Sequence, residues 1–227
     1  MQPRKKQRRL VAIALAFISA AGLVVAAFGD RWLATPYADD TATEPGTSSE
    51  RSAGMGLHTY ERCRGADCDG ISNFELIDVL EKRIEEIKEE NKHLPAKEQM
   101  ALPRPPWHGF PVVGIMAFIT ALIAAAGLLV GALFALARKR VDMTIMPTTI
   151  AVLGLTFSIV TGCIFVATKP DFAESLVVGW SFIAFGIAAV LGLAAVFPLN
   201  RAIRPIDDEL GEASATMSWG SSRDDMP

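Results

Sequence analysis

The sequence predicts an all-α membrane protein: a four-transmembrane-helix bundle carrying a small extracytoplasmic lobe. Three observations predict it. Four long apolar stretches hold no Asp, Glu, Lys, Arg or His; basic residues gather beside one set of their ends; and one 81-residue segment, 29–109, separates the first stretch from the second. A hydrocarbon core about 30 Å thick needs roughly 20 apolar residues at 1.5 Å rise each. In lipid every backbone group must be bonded within the segment, so the stretches are helices.

Residues 1–9 form a basic N-terminus with Arg4, Lys5, Lys6, Arg8 and Arg9. Leu10–Phe28 follows as the first span, with Ser19 its one polar member. A cleaved signal peptide ending near Val25-Ala26-Ala27 is the competing reading. Nineteen apolar residues exceed the usual 7–15 of a signal core, so a retained anchor is preferred.

The 29–109 loop has four parts. Trp32 is read as an anchor at the membrane interface, where an amphipathic ring is favoured. Residues 35–54, rich in Thr, Ser, Pro, Gly and Ala, read as linker. Cys63 and Cys68 then stand five positions apart in a polar stretch, with turn residues Gly65 and Asp67 between them. A structural disulfide in an oxidising compartment is the preferred reading. A redox-active pair is the alternative, but such pairs usually sit as CxxC. Neither His58 nor His93 completes a metal-ligand spacing with them, and haem attachment would need CxxCH, so no metal and no cofactor are expected.

The fourth part begins with a capping box, Ser72-Asn73-Phe74-Glu75, and ends at Pro95. Between them Ile77, Leu80, Ile84 and Ile87 follow 3-4-3 spacing, which predicts an amphipathic helix over 73–94. A stripe this narrow packs on the rest of the loop, on a protein partner, or in a coiled-coil seam with Asn91 as register residue. Leu102-Pro103-Arg104-Pro105-Pro106 is a stiff extended return. Trp107 is the matching interface anchor.

The remaining spans run over 110–137, 145–168 and 176–198, joined by 138–144 and 169–175, with 199–227 expected as a disordered cytoplasmic tail that is acidic from 206 on. Arg138, Lys139 and Arg140 follow the second span, and Arg201 and Arg204 the fourth. With the basic N-terminus, these place both termini in the cytoplasm of a cell that holds the protein in its plasma (inner) membrane. Gly127 and Gly131 form a GxxxG on the second span. Contact among helices of one molecule is its preferred reading and a homo-oligomer face the alternative. Without ionisable residues the spans are poor material for a pump, proton-coupled transporter or voltage sensor. The net charge of −3 and the absence of a basic domain argue against nucleic acid as a partner.

The order Trp32, Gly56-Leu57, Cys63, Cys68, with four spans and cytoplasmic ends, resembles the claudin and peripheral-myelin-protein-like four-transmembrane family. His58 stands where that family has a third-position Trp, the cysteines are closer together, and a helix is inserted before the second span. The resemblance implies a left-handed bundle with short β-strands around Trp32 and the disulfide, and a non-enzymatic scaffold or adhesion role. Lipids and a protein partner bound through the outer loop or the bundle surface are the expected contacts. An accessory subunit of a larger membrane complex is the second expectation, and a membrane thiol oxidoreductase the third.

Overall fold

The computed structural model describes residues 3–35, 51–64, 67–95, 97–137, 145–170 and 176–203. The linker 36–50, the loop 138–144 and the tail beyond 203 lie outside these, as do Gly65 and most of 169–175.

Four helices are long and apolar enough to cross a membrane. They lie in α1 (Pro3–Phe28), α3 (Gly109–Ala137), α4 (Ile145–Ala167) and α5 (Trp180–Ile203), while α2 (Asn73–Lys92) belongs to the lobe. Helix α1 packs between α5 and α3, α4 packs on α3, and α5 closes the ring. The chain is a multi-pass membrane protein on this evidence. Two boundaries differ from the sequence expectation. Helix α1 begins at Pro3, so the basic positions 4–9 continue the span as helix. Helix α5 begins at Trp180 rather than near 176, because Val177–Val178 is a strand.

The bundle is built with small residues inside and large ones outside. On α3, Ala117, Ala121, Ala124, Leu128, Ala132 and Ala135 are buried at three- and four-residue spacing. Met116, Ile119, Ile123, Val130 and Leu133 point away from the bundle. Lipid is as apolar as Leu, so nothing drives large side chains inward, and close backbone approach supplies the packing. Gly127 opposes Ala151 and Pro147 of α4, and Gly131 opposes Leu199 of α5. Both glycines of the GxxxG are therefore used within one molecule. Ser19 donates to the Ala188 carbonyl at 2.7 Å, a buried bond between α1 and α5.

Two contacts set the height of α3 against α1. Arg9 donates to the Leu136 carbonyl at 3.4 Å, and the Phe28 and Phe118 rings meet at 5.1 Å. The interval is nineteen residues of α1, about 28 Å at 1.5 Å rise, which matches a hydrocarbon core. The first nine residues of α3 rise roughly 13 Å beyond that level. There Phe110 stacks on Phe165, two residues from the end of α4, at 4.6 Å. The α3–α4 pair thus stands taller than α1–α5 and leaves a step.

A five-stranded antiparallel sheet fills the step. It comprises β1 (Leu33–Ala34), β2 (Arg51–Met55), β3 (Thr59–Arg64), β4 (Asp67–Ser72) and β5 (Val177–Val178), in the order β4-β3-β2-β1-β5. Four strands come from the first lobe-side connection and β5 from the second. Residues 51–54, expected as linker, are strand. They show no period-two alternation, but cross-strand pairing recruits them.

Candidate functional site

The lobe is fastened to the bundle at two points. The first is Trp32, expected as an interface anchor and found enclosed within the protein. It is 0% exposed, and its indole N–H donates to the Ala26 carbonyl at 2.7 Å. Its ring lies 6.2, 5.5 and 5.1 Å from Phe165, Phe182 and Phe185. A buried indole needs a partner for its N–H, and the Ala26 carbonyl in the last turn of α1, which also accepts from the Gly29 N–H at 3.2 Å, supplies it. The amphipathic ring is thereby satisfied without reaching water.

The second point is the Gly56-Leu57-His58 turn between β2 and β3, closed by a 2.7 Å bond from the Gly56 N–H to the Thr59 carbonyl. Leu57 is fully buried, and its carbonyl rests against the backbone of Gly114, where a Cβ would collide with it. The His58 ring lies 5.3 Å from Phe118. Asn73 stitches this turn to α2: its backbone N–H donates to His58 at 3.0 Å and its Nδ2 to Gly56 at 3.1 Å. Asn73 is 1% exposed, and nothing in the sequence singled it out beyond its place in the capping box.

Cys63 and Cys68 are bonded. They face each other directly across β3 and β4, with Arg64 opposite Asp67 next in register. The disulfide therefore staples a hairpin. Two residues before Cys63 on β3, Glu61 lies between Gly54 of β2 and Gly70 of β4. Glu61 shares a hydrogen bond with Asp30. That bond, partial burial and the Asp30 charge raise the Glu61 carboxyl above its usual pKa, against the pull of Arg31.

Helix α2 starts where the capping box places it, with Ser72 Oγ accepting from the Glu75 N–H at 3.1 Å. Ile77 and Ile84 are buried and Leu80 and Ile87 half-buried, so the expected partner-binding stripe faces into the lobe. The return segment runs back beside this helix. Asn91 both donates to and accepts from the Met100 backbone at 2.8 Å, and His108 reaches Glu81 at 3.1 Å. Asn91 is thus a clamp on its own loop, a role that a coiled-coil reading did not foresee. Apolar surface remains elsewhere on the lobe. Phe74 is 48% exposed, Val79 51%, Leu102 51% and Trp107 51%.

Among the described residues, no group of three or more His, Cys, Asp or Glu is placed to hold a metal ion. Cys163, the free thiol, lies exposed on α4. No protein-family model matches the chain, and no curated protein matches it.

Proposed function

We propose that this chain is a non-enzymatic, claudin-like membrane scaffold or adhesion protein that presents its lobe to a protein partner. In this reading it lies in the plasma membrane with both termini cytoplasmic and the lobe outside. The observation that carries it is the way the lobe is held. One sheet draws strands from both lobe-side connections, and Trp32 and Leu57 anchor it into the bundle. The residues that bear the resemblance, Trp32, Gly56-Leu57 and the cysteine pair, all belong to that unit. A lobe fixed at two points to a charge-free bundle suits presentation of a surface better than chemistry. Half-exposed Phe74, Val79 and Leu102 supply that surface with apolar contacts.

A photo-crosslinking residue at Phe74, Val79 or Leu102, in the full chain in its native membrane, tests this. Crosslinks from these positions to a protein support the reading. Crosslinks only from lipid-facing positions such as Val130 or Ile187 would contradict it and favour an accessory subunit held by its bundle. Cys63→Ser with Cys68→Ser should leave membrane thiol oxidation unchanged; a loss of that activity would contradict a non-enzymatic role.

A further inference from the structure

The apolar surface of the bundle ends at two heights. On α1 it ends at Phe28, after which Asp30 and exposed Arg31 lead into the lobe. Phe118 of α3 meets Phe28 at 5.1 Å, and α3 extends beyond that level as far as Gly109. Its exposed ridge does not stop there. Ile123, Ile119, Met116 and Val112 recur at four- and three-residue spacing, and Val112 at 47% and Met116 at 48% are as open as Ile123 at 45% in mid-span. Helix α4 does the same. Gly154 packs against Ala124, so α4 reaches the Phe118 level six residues later, at Val160. Beyond it Cys163 and Ile164 are exposed, and the helix ends at Ala167. The Gly56-Leu57 turn relates the two sides: a Cβ on Gly56 would lie 3.0 Å from the Asp30 Cα, and the Leu57 carbonyl rests on Gly114. Charged Asp30 and Arg31 thus stand near the height of Gly114, between apolar Val112 and Met116.

The chemistry of this raised face selects its occupant. No charged residue lies in α3 or α4. The hydroxyls near that height are bonded to their own helices: Thr120 donates to the Met116 carbonyl at 2.7 Å and Thr168 to the Ile164 carbonyl at 2.8 Å. They need nothing from water, which is the condition lipid imposes. Close approach of a second helix in lipid uses small residues, and the glycines at this level face inward, Gly114 toward Leu57 and Gly162 toward Trp32. The outward residues are bulky, and their ridge is continuous with the one that faces lipid lower on the same helices. From Val112 to Leu136 it is about 36 Å long, against about 30 Å of hydrocarbon. A bilayer meets such an excess by thickening locally or by letting the bundle tilt. We propose that the outward face of α3 and α4 beyond the Phe28 level, formed by Val112, Met116, Cys163 and Ile164, is a contact site for phospholipid acyl chains. The hydrocarbon boundary lies about 9 Å higher there than beside α1. The inference does not depend on the claudin-like reading.

A nitroxide on Cys163 tests this in the unsubstituted full chain, because Cys63 and Cys68 are bonded and Cys163 is the free thiol. In vesicles of palmitoyl-oleoyl-phosphatidylcholine, oxygen concentrates in the hydrocarbon and nickel ethylenediaminediacetate stays in water. Relaxation of the label by oxygen should exceed relaxation by nickel several-fold. In a Cys163→Ser background, labels at Met116→Cys and Val112→Cys should also favour oxygen, though less than one at Ile123→Cys in mid-span. A label at Arg31→Cys, near the same height but beside the lobe, should favour nickel. If a substituted chain is misfolded, the label on Cys163 decides. Nickel dominating at Cys163 and Met116→Cys would place the face in water and overturn the proposal. So would shielding from both reagents, which is the signature of a protein surface, such as a second copy, seated there. Oxygen dominating at Arg31→Cys as strongly as at Met116→Cys would also overturn it, because the boundary would then have one height.

Discussion

Two identical substitutions in the bundle should have opposite effects. An ideal Cβ on Gly154 of α4 would lie 2.8 Å from the Ala124 nitrogen, 2.9 Å from its Cα and 3.0 Å from its Cβ. Carbon contacts are favourable near 3.5–4.0 Å, so Gly154→Ala forces α4 away from α3 by about 0.7 Å. Ala124 is fully buried and the offending atoms are mostly backbone, so no side chain can swing aside. Overpacking of this kind costs about 1–3 kcal/mol, and the helix-propensity gain of Gly→Ala returns roughly 1 kcal/mol. At Gly186 on α5 an added Cβ meets nothing within 4 Å, so Gly186→Ala keeps the gain without the clash. The two variants should differ by about 1–3 kcal/mol, or roughly 2–12 °C in apparent melting temperature in one detergent, with Gly186→Ala the more stable. Thermal unfolding followed by circular dichroism measures this. Equal melting temperatures, or a higher one for Gly154→Ala, would refute the packing of α3 on α4.

Three further outcomes are expected. Trp32→Phe removes the indole bond to the Ala26 carbonyl, which keeps its bond from the Gly29 N–H, at a cost of about 1 kcal/mol, and Trp32→Ala adds a cavity for about 3–5 kcal/mol in all. Hydrogen exchange should show the sheet loosening in that order, with the middle of the bundle protected in both. Reducing Cys63–Cys68, five positions apart, should destabilise the hairpin by about 2 kcal/mol, seen as faster exchange in β3 and β4 while α3 and α4 are unchanged. Because the folded lobe raises the Glu61 pKa, the folded state binds more protons than the unfolded state between the ordinary value and the raised one. That stabilisation is full below the ordinary glutamate pKa and is lost as pH rises through the raised value. Lobe protection should decline across that window, and Glu61→Gln should flatten the decline.

The spans were legible because each is a long run without a charge, which only lipid or a deep core tolerates. The start of α2 was legible from Ser72 and Glu75 because a helix cap is a local interaction, and the disulfide from two cysteines in a polar loop. Short strands around Trp32 and the disulfide were implied by the resemblance alone; what the residue pattern itself did not carry was non-local. Arg51-Ser52-Ala53-Gly54-Met55 and Asp67-Cys68-Asp69-Gly70 carry no strand periodicity, and β5 is two residues long. Their pairing depends on one another and on the step left by the taller α3–α4 pair. Trp32 read as an interface residue because the aromatic rings that enclose it come from α4 and α5, more than 130 positions later. Asn91 was likewise read from its own helix, although its partner is Met100 in the returning chain.

The lobe is a fixed platform because the two lobe-side connections share one sheet. Ala34 of β1 faces Val177 of β5, and Leu33 faces Val178. In a Cys163→Ser background, Ala34→Cys with Val177→Cys should crosslink readily under mild oxidation, and mass spectrometry should identify the joined peptides. Ala34→Cys with Val178→Cys, one residue out of register and on the opposite face, should crosslink poorly. Failure of the first pair, or faster crosslinking of the second, would contradict the shared sheet.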